Sequence, residues 1–281
     1  MTIQYNKVIF ASRIIPKVKT TDETLNTIVK GNISVSRYGD GEFSLMKGEN
    51  LIFQPCHGEL RERLKEIIKT SREKHIVCIP NVFESLDWCA EAPSNYWRKY
   101  LNINRRKIYT LLDMKKEYHD SLVTRLYIDH NDKDKAEERF EKLKRLWNYK
   151  DIVIVEGEQS RLGVGNDLFK NVRSIQRIIC PPKDAFSRYS EILNEVKKQD
   201  KSKLILIALG PTATVLAFDL SRYGFHAVDI GHIDIEYEWF LKKATKKQPV
   251  RNKYIGEVSG GSDVDEIRDE KYEKEIFVII K

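Results

Sequence analysis

The stretch RYGDGE at residues 37–42 sets two carboxylates, Asp40 and Glu42, one residue apart among the glycines Gly39 and Gly41. A D-x-E spacing can aim two oxygen ligands at one hard divalent cation, Mg²⁺ or Mn²⁺, which can in turn bridge a diphosphate. The glycines permit a tight turn, with Gly39 beside the ligand, and Arg37 can pair with a phosphate or orient a carboxylate. The bland alternative is a polar turn closed by an arginine–carboxylate ion pair. A second D-x-E, Asp234 and Glu236, lies in DIGHIDIEYEW at 229–239, with His232 just before it. Asp234, Glu236 or His232 can ligate a metal or act as the base that deprotonates an acceptor hydroxyl. As a helix, the same stretch would place Ile233, Tyr237 and Phe240 on a core stripe, its acids merely favouring the N-terminus.

Two further stretches are rich in glycine and hydroxyls. In EGEQSRLGVGND at 156–167, Arg161, Gly163, Gly165 and Asn166 are expected to meet a phosphate, and Asn166 or Asp167 can cap a following helix. Glu156 and Glu158 at its head are additional candidates for the base. The loop lacks a complete G-x-G-x-x-G or P-loop pattern, and a flexible loop with a helix cap accounts for it equally well. In GPTAT at 210–214, Gly210, Thr212 and Thr214 begin an apolar helix, so free N–H groups and two hydroxyls would face a ligand; an ordinary capped helix start is the competing account.

These stretches directly follow segments that read as strands: 32–37, 151–155, 203–209 and 226–230, joined by others at 75–80, 175–179 and 276–280. Helical spacing of apolar residues appears between them at 58–72, 133–148, 185–198 and 212–223. This alternation predicts an α/β fold, a Rossmann-like, doubly wound, mostly parallel sheet with helices on both faces, in which ligands bind beyond the carboxyl ends of the strands. One domain over 1–281 is expected. Residues 81–130 have no clean period and are read as a helical or irregular insertion over the sheet, where Trp88, Tyr96, Trp97 and Tyr100 can stack on sugars of an acceptor or simply pack on the core. Residues 258–275 read as an exposed connection with a turn at Gly260 and Gly261.

Composition narrows the class. The 281 residues are 41% hydrophobic, enough for a sizeable core. The net charge of +7 and pI near 9.0 favour an anionic partner, but the excess is diffuse and no nucleic-acid motif accompanies it, so no nucleic-acid partner is expected. Four cysteines without a C-x-x-C pair speak for reduced thiols rather than a zinc cluster or disulfide framework. No secretory leader and no run of about 18–20 apolar residues is present, so a soluble cytoplasmic chain without a transmembrane segment is expected.

In order and wording, RYGDGE at 37–42, EGEQSRLGVGNDLF at 156–169, ALGPTATVLAFDLSRYG at 208–224 and DIGHIDIEYEW at 229–239 resemble the glycosyltransferases of the GT-D fold, a family once catalogued as a domain of unknown function. The resemblance covers about 32–257. It implies a Rossmann-like fold distinct from the GT-A and GT-B arrangements, a UDP-sugar donor, with UDP-glucose foremost, and a metal, Mn²⁺ or Mg²⁺, held through a D-x-E motif. It also implies a glycan or glycoprotein acceptor, as in the glycosylation of serine-rich repeat adhesins or other bacterial surface glycans, alongside other glycosylation enzymes. Both D-x-E pairs satisfy the motif; Asp40 and Glu42 are preferred for the metal because their loop is the more glycine-flanked, and Asp234 and Glu236 stand second. The rival readings are a phosphosugar-binding or isomerase domain, which needs no metal, and a non-catalytic module that binds nucleotide sugar or glycan without turnover.

Overall fold

The computed structural model describes residues 15–262, 264 and 268–281. Among the described residues nine strands occur, β1 (Lys17–Val18), β2 (Ser34–Arg37), β3 (His75–Ile79), β4 (Glu117–Asp120), β5 (Asp151–Gly157), β6 (Ser174–Cys180), β7 (Leu204–Ala208), β8 (His226–Asp229) and β9 (Ile276–Ile279). They form one sheet in the order β1-β4-β3-β2-β8-β7-β5-β6-β9, and every pairing is parallel. The helices are α1 (Thr21–Gly31), α2 (Asp40–Met46), α3 (Gly58–Ile67), α4 (Glu91–Leu111), α5 (Ala136–Lys144), α6 (Tyr189–Lys197), α7 (Pro211–Arg222), α8 (Ile233–Leu241) and α9 (Glu270–Glu275).

A parallel sheet needs crossover connections, and these cover both of its faces with helices. The central strands show the consequence. Val153, Val155, Ile205 and Ile207 point into the core shared with α3, α6 and α7, whereas Ile152, Ile154, Leu204 and Leu206 point into the core shared with α1, α5 and α8. Local signals set the helix ends: Thr20 and Glu23 form a reciprocal capping box at the start of α1, and Pro211 opens α7, where its missing N–H costs nothing.

All seven strands read from the sequence are present. The two additional ones, β1 and β4, are short, and β4 corrects the reading of 81–130 as an insertion outside the sheet. That region contains the 21-residue helix α4 and also a strand paired with β3 through Cys78↔His119 and Ile79↔Asp120. Its sequence, EYHD, is too polar to read as a buried strand. The stretch 258–275 includes α9, partly replacing the expected open connection; residues 263 and 265–267 lie outside the described set. The four cysteines are free thiols. Among the described residues no helix is long and apolar enough to cross a membrane.

Candidate active site

The chain runs outward from β2 through β3 to β4, then returns from the other side through β7 to β8, so the two halves of the sheet meet at β2 and β8. Open α/β sheets bind ligands at such a reversal. Backbone pairing between these strands is limited to Val35↔Val228. At their carboxyl ends a side chain makes the connection: Arg37 donates from Nε to the Asp229 carbonyl (2.9 Å) and from Nη2 to Asp229 Oδ1 (3.0 Å). Its Nη1 reaches the Ser121 carbonyl (3.0 Å) and Thr124 Oγ1 (2.7 Å) beyond β4. Gly231, at φ +45°, is the residue that admits this guanidinium, since a Cβ there would lie 1.8 Å from Arg37 Nη2. Arg37 is thereby fixed at the mouth of the crevice as an ion pair with Asp229.

Beside it, Asp40 and Glu42 occupy the first turn of α2. Glu42 turns back so that its Oε2 accepts the Gly39 N–H at 2.6 Å. Burial pushes its carboxyl up to about 7 against the pull of that N–H, with the negative charges of Asp229 and Asp40 adding to the rise. Asp40 is exposed. Its Oδ2 accepts a hydrogen bond from the Tyr96 hydroxyl, and its carbonyl accepts one from Tyr100 at 3.4 Å. The Tyr96 and Tyr100 rings are stacked, 6.0 Å apart at 15°, forming an aromatic surface of α4 directly against the D-x-E turn. Trp97 is only 6% exposed and packs in the core, and Trp88 donates to the Asn81 carbonyl (3.0 Å) while packing on His130, so among the four predicted sugar-stacking rings Tyr96 and Tyr100 are the ones at the site. Two carboxylates with oxygen donors suit Mg²⁺ or Mn²⁺, which characteristically take one or two protein carboxylates and fill their remaining positions with water and phosphate. Among the described residues no group of three or more His, Cys, Asp or Glu could form an all-protein cage.

The second D-x-E is built differently. It lies in α8, as the helical alternative anticipated, and both of its acids are buried. Asp234 Oδ1 accepts from the Gly163 N–H (2.9 Å) and Asn166 Nδ2 (2.8 Å), while its Oδ2 pairs with the buried Lys253 ammonium at 2.5 Å. The same Asn166 amide also donates to Glu238 (2.8 Å). Glu236 is fully buried, and its Oε2 accepts the N–H groups of Tyr127 (3.1 Å) and Ile128 (3.0 Å). Burial, reinforced by Asp129, raises its carboxyl to about 7. These contacts speak against Asp234 as a metal ligand and Glu236 as a base: both Asp234 oxygens and Glu236 Oε2 tie α8 to two loops, while the buried Glu236 Oε1 has no hydrogen-bond partner among the described residues and lies 3.8 Å from Arg125. Glu156 is corrected on the same ground. It is fully buried, with Oε1 on Arg177 (2.6 Å) and Oε2 on the Leu162 N–H (2.8 Å), leaving no oxygen facing an acceptor. His232 stands at the mouth, half-buried. Burial and then the nearby Arg125 push its imidazole down to about 4, so it is neutral and weakly basic near pH 7.

The remaining loop residues divide between scaffold and surface. Glu158 is exposed, and Arg161 donates to the Asn252 carbonyl at 2.9 Å. Gly163 and Gly165 take positive φ values of 75° and 81°, so Gly163, Asn166 and Asp234 form one interlocked turn rather than an open phosphate cradle. Gly210, at φ +51°, lets the ring of Phe53 lie against the start of α7, where an added Cβ would be 2.9 Å from that ring. Thr214 donates to the Arg37 carbonyl (2.8 Å) and Thr212 to Gln54 Oε1 (3.3 Å), so both hydroxyls face protein partners rather than a ligand.

A family model described as "Glycosyltransferase GT-D fold" matches residues 35–258. The chain belongs to the GT-D-fold glycosyltransferase family. It is 40% identical over 265 residues to "Glycosyltransferase GlyD" of Streptococcus pneumoniae serotype 4 (strain ATCC BAA-334 / TIGR4), covering 94% of this chain and 32% of that protein. It is 39% identical over 260 residues to "Probable glycosyl transferase Gly" of Streptococcus gordonii, covering 92% of this chain and 38% of that protein. The chain thus spans about a third of the length of these curated relatives. A solved structure described as "A New Glycosyltransferase (DUF1792) from Streptococcus sanguinis" superposes with a TM-score of 0.90 at 38% identity, covering 95% of this chain and 100% of that one. Another, described as "The highly conserved domain of unknown function 1792 has a distinct glycosyltransferase fold", superposes with a TM-score of 0.89 at 40% identity, covering 95% and 96%.

Within this GT-D-fold chain, several site-forming residues escape the motif search. Asp229 ends β8, so the rule that ligands gather beyond strand ends points to it, but its role as anchor for Arg37 depends on a partner 192 residues away. Arg125 lies 3.0 Å from Glu257 with no local motif around it. His57 and Asp184, 2.6 Å apart, come from loops 127 residues apart.

Proposed function

We propose that this chain is a glycosyltransferase domain that moves a sugar, glucose in the first instance, from a UDP-sugar to a hydroxyl of a glycan or glycoprotein acceptor, with Mn²⁺ or Mg²⁺ held by Asp40 and Glu42. The observation that carries this choice is the contrast between the two D-x-E pairs. Asp40 is exposed beside the Arg37–Asp229 anchor, whereas Asp234 already has the buried Lys253 as its counter-ion. When bound there, the cation would neutralise charge on the departing diphosphate. The chain's own residues contribute the rest. Arg37, held by Asp229, gives the crevice mouth a guanidinium already fixed in place, the first turn of α7 directs its N-terminal dipole at the crevice, and Tyr96 and Tyr100 offer ring faces to an acceptor sugar.

The test is calorimetric titration of UDP with and without Mn²⁺ for the parent and for Asp40→Ala/Glu42→Ala. Metal-dependent binding in the parent that disappears in this variant, with thermal stability retained, is the expected result. A parent that binds UDP in neither condition loses the donor assignment, and a variant that still shows metal-dependent binding loses the metal assignment.

A further inference from the structure

The proposed transfer needs a group to take the proton of the acceptor hydroxyl, and the acids buried in α8 and β5 have no free access to one. A different pair does. His57 caps α3 and Asp184 follows β6, and their loops meet beyond the carboxyl ends of the strands, next to the start of α7. His57 Nε2 lies 2.6 Å from Asp184 Oδ1, and the side chains are 36% and 32% exposed. Opposite a carboxylate oxygen, Nε2 carries the hydrogen, so Nδ1 presents its lone pair. Among the described residues Nδ1 has no hydrogen-bond partner.

Asp184 is held more firmly than a surface ion pair requires. The Gln54 amide donates to the same Oδ1 at 2.7 Å, and the Asp184 N–H donates to the Phe53 carbonyl at 2.8 Å. Gln54 is itself buried and accepts from Thr212 in the first turn of α7 (3.3 Å) and from the Phe186 N–H (3.4 Å). Asp184 adopts φ +51°, a left-handed conformation held here by its backbone and side-chain hydrogen bonds. Packing of the imidazole against Phe186, 5.7 Å between centroids, restricts its rotation. An oriented imidazole backed by a fixed carboxylate is the arrangement that accepts a proton from a hydroxyl and stabilises the resulting imidazolium.

We propose that His57, oriented by Asp184, is the catalytic base of the transfer, an inference that rests on the glycosyl-diphosphate donor proposed above. The acceptor hydroxyl gives its proton to Nδ1 as its oxygen bonds to the anomeric carbon. The bond from that carbon to the diphosphate oxygen breaks, and its electron pair leaves with the diphosphate. Asp184 is a positioning residue, retaining the Nε2 hydrogen bond while the ring is charged.

UDP release from UDP-glucose, with water as acceptor and Mn²⁺ present, tests this on the full chain. His57→Gln and His57→Ala should slow release on the order of 100-fold or more, as for loss of a general base, while UDP affinity by calorimetry stays within about twofold of the parent. Added imidazole should restore part of the His57→Ala rate. Asp184→Asn should slow release in the parent background but hardly further when combined with His57→Ala. A parent-like rate in His57→Ala, a loss that imidazole does not relieve, or a loss matched by lost UDP binding would each overturn the proposal and leave the pair as a tie between loops. If the parent binds no UDP by calorimetry, the donor reading fails and the proposal falls with it, whereas a parent that binds UDP but releases none from UDP-glucose leaves no transfer for His57 to assist and overturns this proposal alone.

Discussion

Asp234→Ala removes an oxygen pair that serves four groups: the Lys253 ammonium at 2.5 Å, the Gly163 N–H at 2.9 Å, the Asn166 amide at 2.8 Å and, through Asn166 and Lys253, Glu238. Lys253 is 4% exposed, and in the variant its remaining carboxylate is Glu238 at 3.4 Å. Breaking one side of a buried ion pair in this way typically costs about 3–5 kcal/mol. For a chain of this length the unfolding entropy is roughly 0.6 kcal/mol per degree, so Tm should fall by about 5–8 °C. The pair belongs to one network, so Asp234→Leu combined with Lys253→Met should lose less than the sum of the two single losses. Thermal unfolding by circular dichroism gives the stability, and UDP titration with Mn²⁺ well below Tm gives the function. Reduced stability with metal-dependent UDP binding intact is the expected combination. An unchanged Tm with metal-dependent binding abolished would refute the structural assignment of Asp234 and move the metal to the second D-x-E.

Glu236 supplies a pH test. Burial raises its carboxyl from an ordinary 4.5 to about 7, so the folded chain binds this proton more tightly than the unfolded one. That stabilisation is complete below the unfolded value and is lost as pH rises through about 7. Glu236→Gln cannot titrate, so its Tm relative to the parent should rise by several degrees between about pH 5 and pH 8; a pH-independent difference would contradict this. Gly231→Ala places a Cβ 1.8 Å from Arg37 Nη2 at φ +45°. It should cost at least about 2 kcal/mol in denaturant unfolding and weaken UDP binding roughly tenfold, because the guanidinium must leave Asp229. Tyr96→Phe deletes the hydroxyl that donates to Asp40; it should leave Tm unchanged and tighten Mn²⁺-dependent UDP binding by up to about tenfold, the worth of one competing charged hydrogen bond. Weaker binding would mean that the hydroxyl positions Asp40 instead of competing for it.

The sheet was legible because its central strands are buried on both faces and therefore carry long β-branched runs, such as DIVIV at 151–155 and KLILIAL at 203–209. β4 was not, because EYHD earns its place through polar contacts that pattern reading does not register. Asp120 accepts from Thr21 Oγ1 (2.6 Å) and the Leu122 N–H (2.9 Å), and its own N–H donates to Thr24 Oγ1 (3.0 Å). The helix α4 was left between a helical and an irregular reading for a related reason. Its buried side chains Ser94, Trp97, Leu101, Asn104 and Ile108 keep helical spacing, but two of the five are polar, so the apolar period is broken.

The two D-x-E pairs show where sequence reading of a site stops. Both follow a strand of the central pair within a few residues, both open a helix, and both carry neighbouring glycine. What separates them is supplied from elsewhere in the chain. Lys253 reaches Asp234 from a loop after α8, and the backbone of residues 127 and 128 reaches Glu236 from beyond β4. Asp40 meets a tyrosine hydroxyl, a partner with no charge to neutralise it. A carboxylate with a buried ammonium already in contact gains little from a cation and would have to expel that ammonium, whereas one held by a neutral hydroxyl retains its charge for a ligand. The distinction is therefore electrostatic and non-local, and the glycine flanks of Asp40 and Glu42, a steric feature, do not by themselves require it.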